Sequence, residues 1–206
     1  MANSDRPQIY LVSPTAFEPD SFAPRLAAVL DGVEIACLRL ALAAEDEDTM
    51  ARAADTCREI AHARDVPIVI ERHMHLVERL GLDGAHLTDG ARSVRDTRKL
   101  LGADAIVGSF CGASRHDGMT AGEAGADYIS FGPVGESPLG DGSRAEQELF
   151  AWWSEMIELP VVAEGALDAA LVERFAPVTD FFAIGAEIWK ADDPVTALQA
   201  LTAALR

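Results

Sequence analysis

Short apolar runs alternate with longer amphipathic stretches along the whole chain. Gln8-Ile9-Tyr10-Leu11-Val12 has the β-branched and aromatic content of a buried strand and stops at Ser13-Pro14. Phe22, Leu26, Val29 and Leu30 then recur at helical spacing up to Asp31-Gly32. By the same reasoning, further strands are predicted over 33–40, 67–70, 83–87, 105–109, 127–131 and 179–184, with another starting at Pro160. Between them, Met50, Ala53, Ala54, Cys57, Ile60 and Ala61 share one helical face, which makes Cys57 a core residue. Leu76, Val77 and Leu80 serve a short helix ended by Gly81, and Ser93 with Asp96 reads as a capping box ahead of Leu100, Leu101 and Gly102. A weak helix follows over 116–124, and Trp152, Trp153, Met156 and Ile157 mark another. Asp168 caps a helix carrying Leu171, Val172 and Phe175. Asp193-Pro194 gives an N-cap with Pro at the first helical position, ahead of Val195, Leu198, Leu201 and Leu205.

Eight strands alternating with eight helical patterns require parallel strands joined by helical crossovers. In a chain of 206 residues, that count favours an α/β fold built as a single (β/α)8 TIM barrel over an open sheet. No Pro/Ser linker or low-complexity block divides residues 1–206, so one domain is expected.

Charge narrows the function. Lys and Arg total 17 against 34 Asp and Glu, a formal charge of −17, which repels polyanions and argues against nucleic acid or an acidic membrane as partner. A small anion in a local pocket remains compatible. Met1 to Pro7 lacks the apolar core of a signal peptide and no run approaches a membrane span, so a cytoplasmic protein is expected. Cys37, Cys57 and Cys111 are odd in number and widely spaced, supporting neither a disulfide framework nor a zinc site. His73 and His75, in a turn, read as solvent-exposed. The Trp152-Trp153 pair serves either core packing or a subunit contact, and a homodimer is compatible with the sequence.

In such a barrel, chemistry belongs to the C-terminal strand ends. Several strands end there in Gly or small polar residues, among them Ser109, Gly165 and Gly185-Ala186, whose backbone N–H groups suit a phosphate. Glu71, Glu164 and Glu187 fall at the same rim, where a carboxylate beside an apolar interior can serve as general acid or base. Glu164 is the preferred candidate because it interrupts Val161-Val162-Ala163, the alternative being a side chain turned into solvent. His86 ends the fourth strand, placed either to meet substrate or to brace the rim.

The strand Ile9-Tyr10-Leu11-Val12, the Leu38-Arg39 pair, Asp83-Gly84-Ala85-His86-Leu87, the run from Gly125 through Asp127-Tyr128-Ile129-Ser130-Phe131-Gly132-Pro133-Val134, Pro160-Val161-Val162-Ala163 and the closing Asp193-Pro194 together resemble the thiamine phosphate synthase family, which also includes the thiazole tautomerases. The resemblance spans nearly the whole chain in order. It implies a compact (β/α)8 barrel that joins hydroxymethylpyrimidine diphosphate to thiazole phosphate and releases pyrophosphate, with Mg2+ and basic groups on the diphosphate. The implied ligand is a phosphorylated small molecule, held by Arg39, Ser137, Gly165 and the Gly185-Ala186 backbone.

The chain departs from the family pattern at most of the expected metal and diphosphate positions. Arg39 matches the family arginine, but Ala41 stands where a lysine is expected, Glu71-Arg72 replaces an Asn-Asp pair, and Ala91 replaces the second metal aspartate, leaving Asp89 as the nearby substitute. Ser137 stands for one threonine of the loop after Pro133, while Leu139 and Gly140 replace the other threonine and the lysine. Gly165 is kept, followed by Ala166 in place of a second glycine. Arg72 therefore reads either as a cation taking over the charge role of Mg2+, paired with Arg39 as an anion clamp, or as an exposed partner of Glu71 or Glu78. A tautomerase would need a proton shuttle, for which Cys111 qualifies if its pKa is depressed; a non-catalytic barrel binding a phosphorylated thiamine precursor is the third reading.

Overall fold

The computed structural model describes residues 6–43, 46–136 and 143–205. Eight strands, β1 (Gln8–Val12), β2 (Ile35–Leu40), β3 (Ile68–Glu71), β4 (Gly84–Leu87), β5 (Ile106–Phe110), β6 (Tyr128–Phe131), β7 (Val161–Glu164) and β8 (Phe181–Ile184), pair in chain order and close through β8 onto β1. Every pairing is parallel, the closed (β/α)8 barrel that the alternation predicts. The crossovers carry α1 (Pro19–Gly32), α2 (Glu47–His62), α3 (Val77–Leu80), α4 (Val94–Leu101), α5 (Arg115–Ala124), α6 (Gln147–Met156), α7 (Ala169–Phe175), α8 (Ala186–Trp189) and α9 (Pro194–Leu201). The α8 turn is absent from the sequence reading because four residues are too few to show a helical period.

Several helix starts follow local chemistry. Asp46, Asp168 and Asp193 each accept from backbone N–H groups of their own first turn. The predicted Ser93 capping box does not form: Ser93 sits in the helical region (φ −94°, ψ −4°), and its hydroxyl donates instead to Asp89 Oδ2 at 2.6 Å. An N-cap needs an extended backbone to aim its side chain at the first turn, and Ser93 lacks it.

Side-chain alternation splits most strands between two cores. One set, including Leu11, Leu38, Ile68, Val107, Ile129 and Phe182, packs outward against helix residues such as Leu26, Cys57, Phe150 and Trp153. The other set, Tyr10, Cys37, Val69, Tyr128, Val162 and Ala183, fills the barrel interior. Cys57 and Trp153 are therefore core residues, while Trp152 lies half-buried under the Arg115 guanidinium, 4.0 Å from its ring centre. Tyr128 fits inside because β5 carries Gly108 beside it; a Cβ there would lie 1.9 Å from Tyr128 Cζ.

The N-terminal rim is closed by a repeated device. Asp83, Asp127 and Asp180, each just before an even-numbered strand, accept through Oδ2 from the N–H of Ile68, Val107 and Val161 at 2.7, 2.7 and 2.8 Å. Each carboxylate satisfies a strand-end donor on the preceding strand. These aspartates thus hold the barrel bottom, and the polar positions left for chemistry lie at the other rim.

Candidate active site at the C-terminal rim

The inward parity that places Cys37, Val69, Tyr128 and Val162 inside also turns Arg39, Glu71, Ser130 and Glu164 inward two residues later, and His86 joins them from β4. Arg39 is 7% exposed and His86 1%. Arg39 Nη1 donates to His86 Nε2 at 2.7 Å and to Glu164 Oε2 at 2.9 Å. A guanidinium has donors only, so His86 Nε2 must hold the lone pair and the ring proton must sit on Nδ1. That proton faces Tyr128 Oη at 2.9 Å, and Tyr128 Oη in turn lies 2.5 Å from Tyr10 Oη. Five strands, β7, β2, β4, β6 and β1, are tied by one polar chain.

Electrostatics agrees with this assignment. Burial, reinforced by the Arg39 charge, pushes His86 well below the usual histidine value, so the ring is neutral. Burial works against the Arg39 charge, but Glu164, Tyr10, Tyr128 and Glu71 outweigh it and raise its pKa. Burial raises both tyrosines, which stay protonated, and pushes Cys37 up to about 12. Two buried polar atoms of this rim, Arg39 Nε and Ser130 Oγ, have no hydrogen-bond partner among the described residues.

Glu71 lies between two guanidinium groups, Oε2 at 3.8 Å from Arg39 Nε and Oε1 at 3.5 Å from Arg72 Nε. Arg72 has φ +65° and a 56% exposed side chain, placing it on the rim as a partner of Glu71. Glu164 points inward, its side chain 16% exposed. The close approach of the loop after β6 to the end of β7 needs Gly132, where a Cβ would meet Glu164 O at 2.4 Å.

Other sequence candidates lie apart from this cluster. Ser109 faces outward, fully buried, and donates to Gly90 O at 2.7 Å. Cys111 is buried, and burial pushes its thiol up to about 11, opposite to the depression that a thiolate shuttle requires. Asp89 and Cys111 line an open hollow over the β4 and β5 loops. Gly165 (φ +92°) and Ala166 (φ +54°) form a tight turn after β7. The Gly185 N–H donates to Glu187 Oε2 at 2.9 Å and the Leu167 N–H to Glu187 Oε1 at 3.2 Å, so a carboxylate of the chain itself joins the β7 and β8 loops beside Ala186. Ser137, with Leu139 and Gly140, falls outside the described residues. Tyr10, Tyr128 and Ser130 were not singled out as site residues from sequence. Their signal was present: polar residues of one parity on the strands, in Cys37-x-Arg39, Val69-x-Glu71, Tyr128-x-Ser130 and Val162-x-Glu164, mark the interior.

The described residues do not fit Mg2+. Among the described residues no three His, Cys, Asp or Glu side chains form a set able to hold a metal ion. A divalent ion on Glu71 would stand against Arg39 and Arg72, and Asp89 Oδ2 is engaged by Ser93.

A closed parallel barrel with a buried arginine, paired carboxylates and an unsatisfied donor at its C-terminal rim defines a (β/α)8-barrel enzyme of the kind that handles small anions. The family model for thiamine monophosphate synthase matches residues 9–187, and the chain belongs to that family. The thiamine-phosphate synthase of Rhodospirillum centenum is 39% identical over 187 residues, covering 88% of this chain and 89% of the relative. That of Erythrobacter litoralis is 37% identical over 204 residues, covering 94% and 93%. The structure of thiamine phosphate pyrophosphorylase from Pyrococcus furiosus superposes with a TM-score of 0.81 at 17% identity, covering 96% of this chain and 95% of the other, a likeness of fold. Among the described residues no helix is long and apolar enough to cross a membrane.

Proposed function

We propose that the protein is a thiamine-phosphate synthase, joining hydroxymethylpyrimidine diphosphate to thiazole phosphate with release of pyrophosphate. The observation that carries this reading is the buried Arg39, held on one side by His86 and Glu164 while its Nε–H makes no hydrogen bond, in a chain whose residues 9–187 match the family. Pyrophosphate leaves the pyrimidine methylene carbon with the C–O electron pair, and the thiazole nitrogen lone pair forms the new C–N bond. Charge develops on the departing oxygen, so fixed cations aimed at it lower the barrier. Arg39 and Arg72 serve as that pair, and the diphosphate takes the place between them that Glu71 fills. Glu164 holds Arg39 in register throughout. The thiazole phosphate end is assigned to the backbone around Gly165-Ala166 and Gly185-Ala186, where Glu187 must yield to it. The test is complementation of a thiamine auxotroph lacking its own synthase: the wild-type gene restores growth without thiamine, and failure to do so at confirmed expression contradicts the reading.

A further inference from the structure

We propose that Tyr128, acting through His86, is a positioning residue that sets the Arg39 guanidinium for the reaction; the inference rests on the function proposed above. Arg39 spends both Nη1 protons on fixed acceptors, His86 Nε2 and Glu164 Oε2, and lies 5.6 Å from the Tyr10 ring centre. The buried Nε–H makes no hydrogen bond and faces Glu71 Oε2 at 3.8 Å, the geometry of a cation held from behind whose remaining donor a ligand displacing Glu71 would meet.

The acceptor at His86 exists only in one tautomer. A proton on Nε2 would face the guanidinium protons at 2.7 Å, so the bond is lost unless the ring proton stays on Nδ1. What keeps it there is Tyr128 Oη, the acceptor at 2.9 Å. Tyr128 is itself fixed three ways: its ring stacks on His86 with centroids 5.7 Å apart and planes 20° apart, its hydroxyl meets Tyr10, and Gly108 leaves the room it occupies. The charged and titratable groups facing His86 are thus Arg39 from β2, Tyr128 from β6 and Tyr10 from β1, with Glu71 its register partner on β3. Tyr128 touches neither Arg39 by hydrogen bond nor, in this reading, the reacting atoms. Its effect is relayed.

Tyr128→Phe keeps the stacked ring and removes only the acceptor. Long-range 1H–15N spectra of the imidazole nitrogens and the arginine Nε–H read the relay directly, without reference to turnover. The wild type is expected to hold His86 as the neutral Nδ1–H form from about pH 5.5 to about pH 7.5, the range over which an ordinary histidine titrates. In Tyr128→Phe the His86 signals move toward mixed tautomers, the Arg39 Nε–H signal shifts, and kcat/KM for thiamine phosphate formation falls about tenfold, the scale of one lost hydrogen bond to a charged relay. His86 as Nε2–H or as imidazolium in the wild type overturns the inference whatever the variant does. So does a Tyr128→Phe protein with His86 and Arg39 signals unchanged, or with both shifted and kcat/KM intact. A wild type that makes no thiamine phosphate overturns the functional reading instead, and the tautomer result is read independently of it.

Discussion

Gly108→Ala probes the barrel interior most sharply. The added Cβ would lie 1.9 Å from Tyr128 Cζ, 2.3 Å from its Oη and 2.4 Å from Cε1. Carbon atoms pack at about 3.5–4 Å, so the ring must move by roughly 1.5–2 Å. Its hydroxyl lies 2.9 Å from His86 Nδ1 and 2.5 Å from Tyr10 Oη, and a shift of that size breaks both bonds. Two lost buried hydrogen bonds at about 1 kcal/mol each, plus about 1–3 kcal/mol for overpacking, give a destabilisation of about 3–5 kcal/mol. For a chain of 206 residues that lowers Tm by roughly 10 °C. Urea unfolding measures the free energy, and the same substitution in a Tyr128→Leu background, where the ring is gone, should cost about 1 kcal/mol or less. Equal costs in the two backgrounds would refute the claim that Gly108 exists to seat Tyr128.

Three further predictions concern charges at the rim. His86 has a folded-state pKa below the ordinary value of about 6.5, so its neutral ring stabilises the fold fully above that pH, and this contribution is lost as pH falls below it. Wild type should therefore lose up to about 1.4 kcal/mol per pH unit more than His86→Gln between pH 6.5 and 5.5, by urea unfolding at each pH; parallel curves would contradict a buried neutral histidine. Glu71→Gln should tighten binding of inorganic pyrophosphate by about three- to tenfold and Arg72→Gln should weaken it, read by calorimetry, since Glu71 neutralises both arginines in the free site. Glu187→Ala should speed hydrogen exchange at the Leu167 and Gly185 amides by about tenfold, and unchanged exchange would mean that the carboxylate is not their acceptor.

The barrel was legible because its strands are buried on both faces: apolar runs such as Ile68-Val69-Ile70 and Tyr128-Ile129-Ser130-Phe131 stand out between helical stripes. Ends were less so. Ser93 resembled a cap but its backbone is helical, and α8 was too short to register. At the site, Glu71, His86 and Glu164 could be chosen from their strand-end positions and Arg39 from the family resemblance, whereas Tyr10 and Tyr128 passed for core because an inward tyrosine looks like any buried aromatic in a strand. Ser109 went the other way: one step in parity turns it outward to Gly90. The Glu187 contact joins two loops distant in sequence, and no local pattern announces it.

The central claim is that this rim makes thiamine phosphate with Arg39 as its fixed cation. Purified protein, given hydroxymethylpyrimidine diphosphate and thiazole phosphate in buffer containing Mg2+, should form thiamine phosphate and pyrophosphate in equal amounts. Arg39→Gln should lower kcat/KM by about a hundredfold or more, as expected when a charge stabilising the leaving group is removed. No product from the wild type, or an Arg39→Gln protein as active as wild type, would contradict the account.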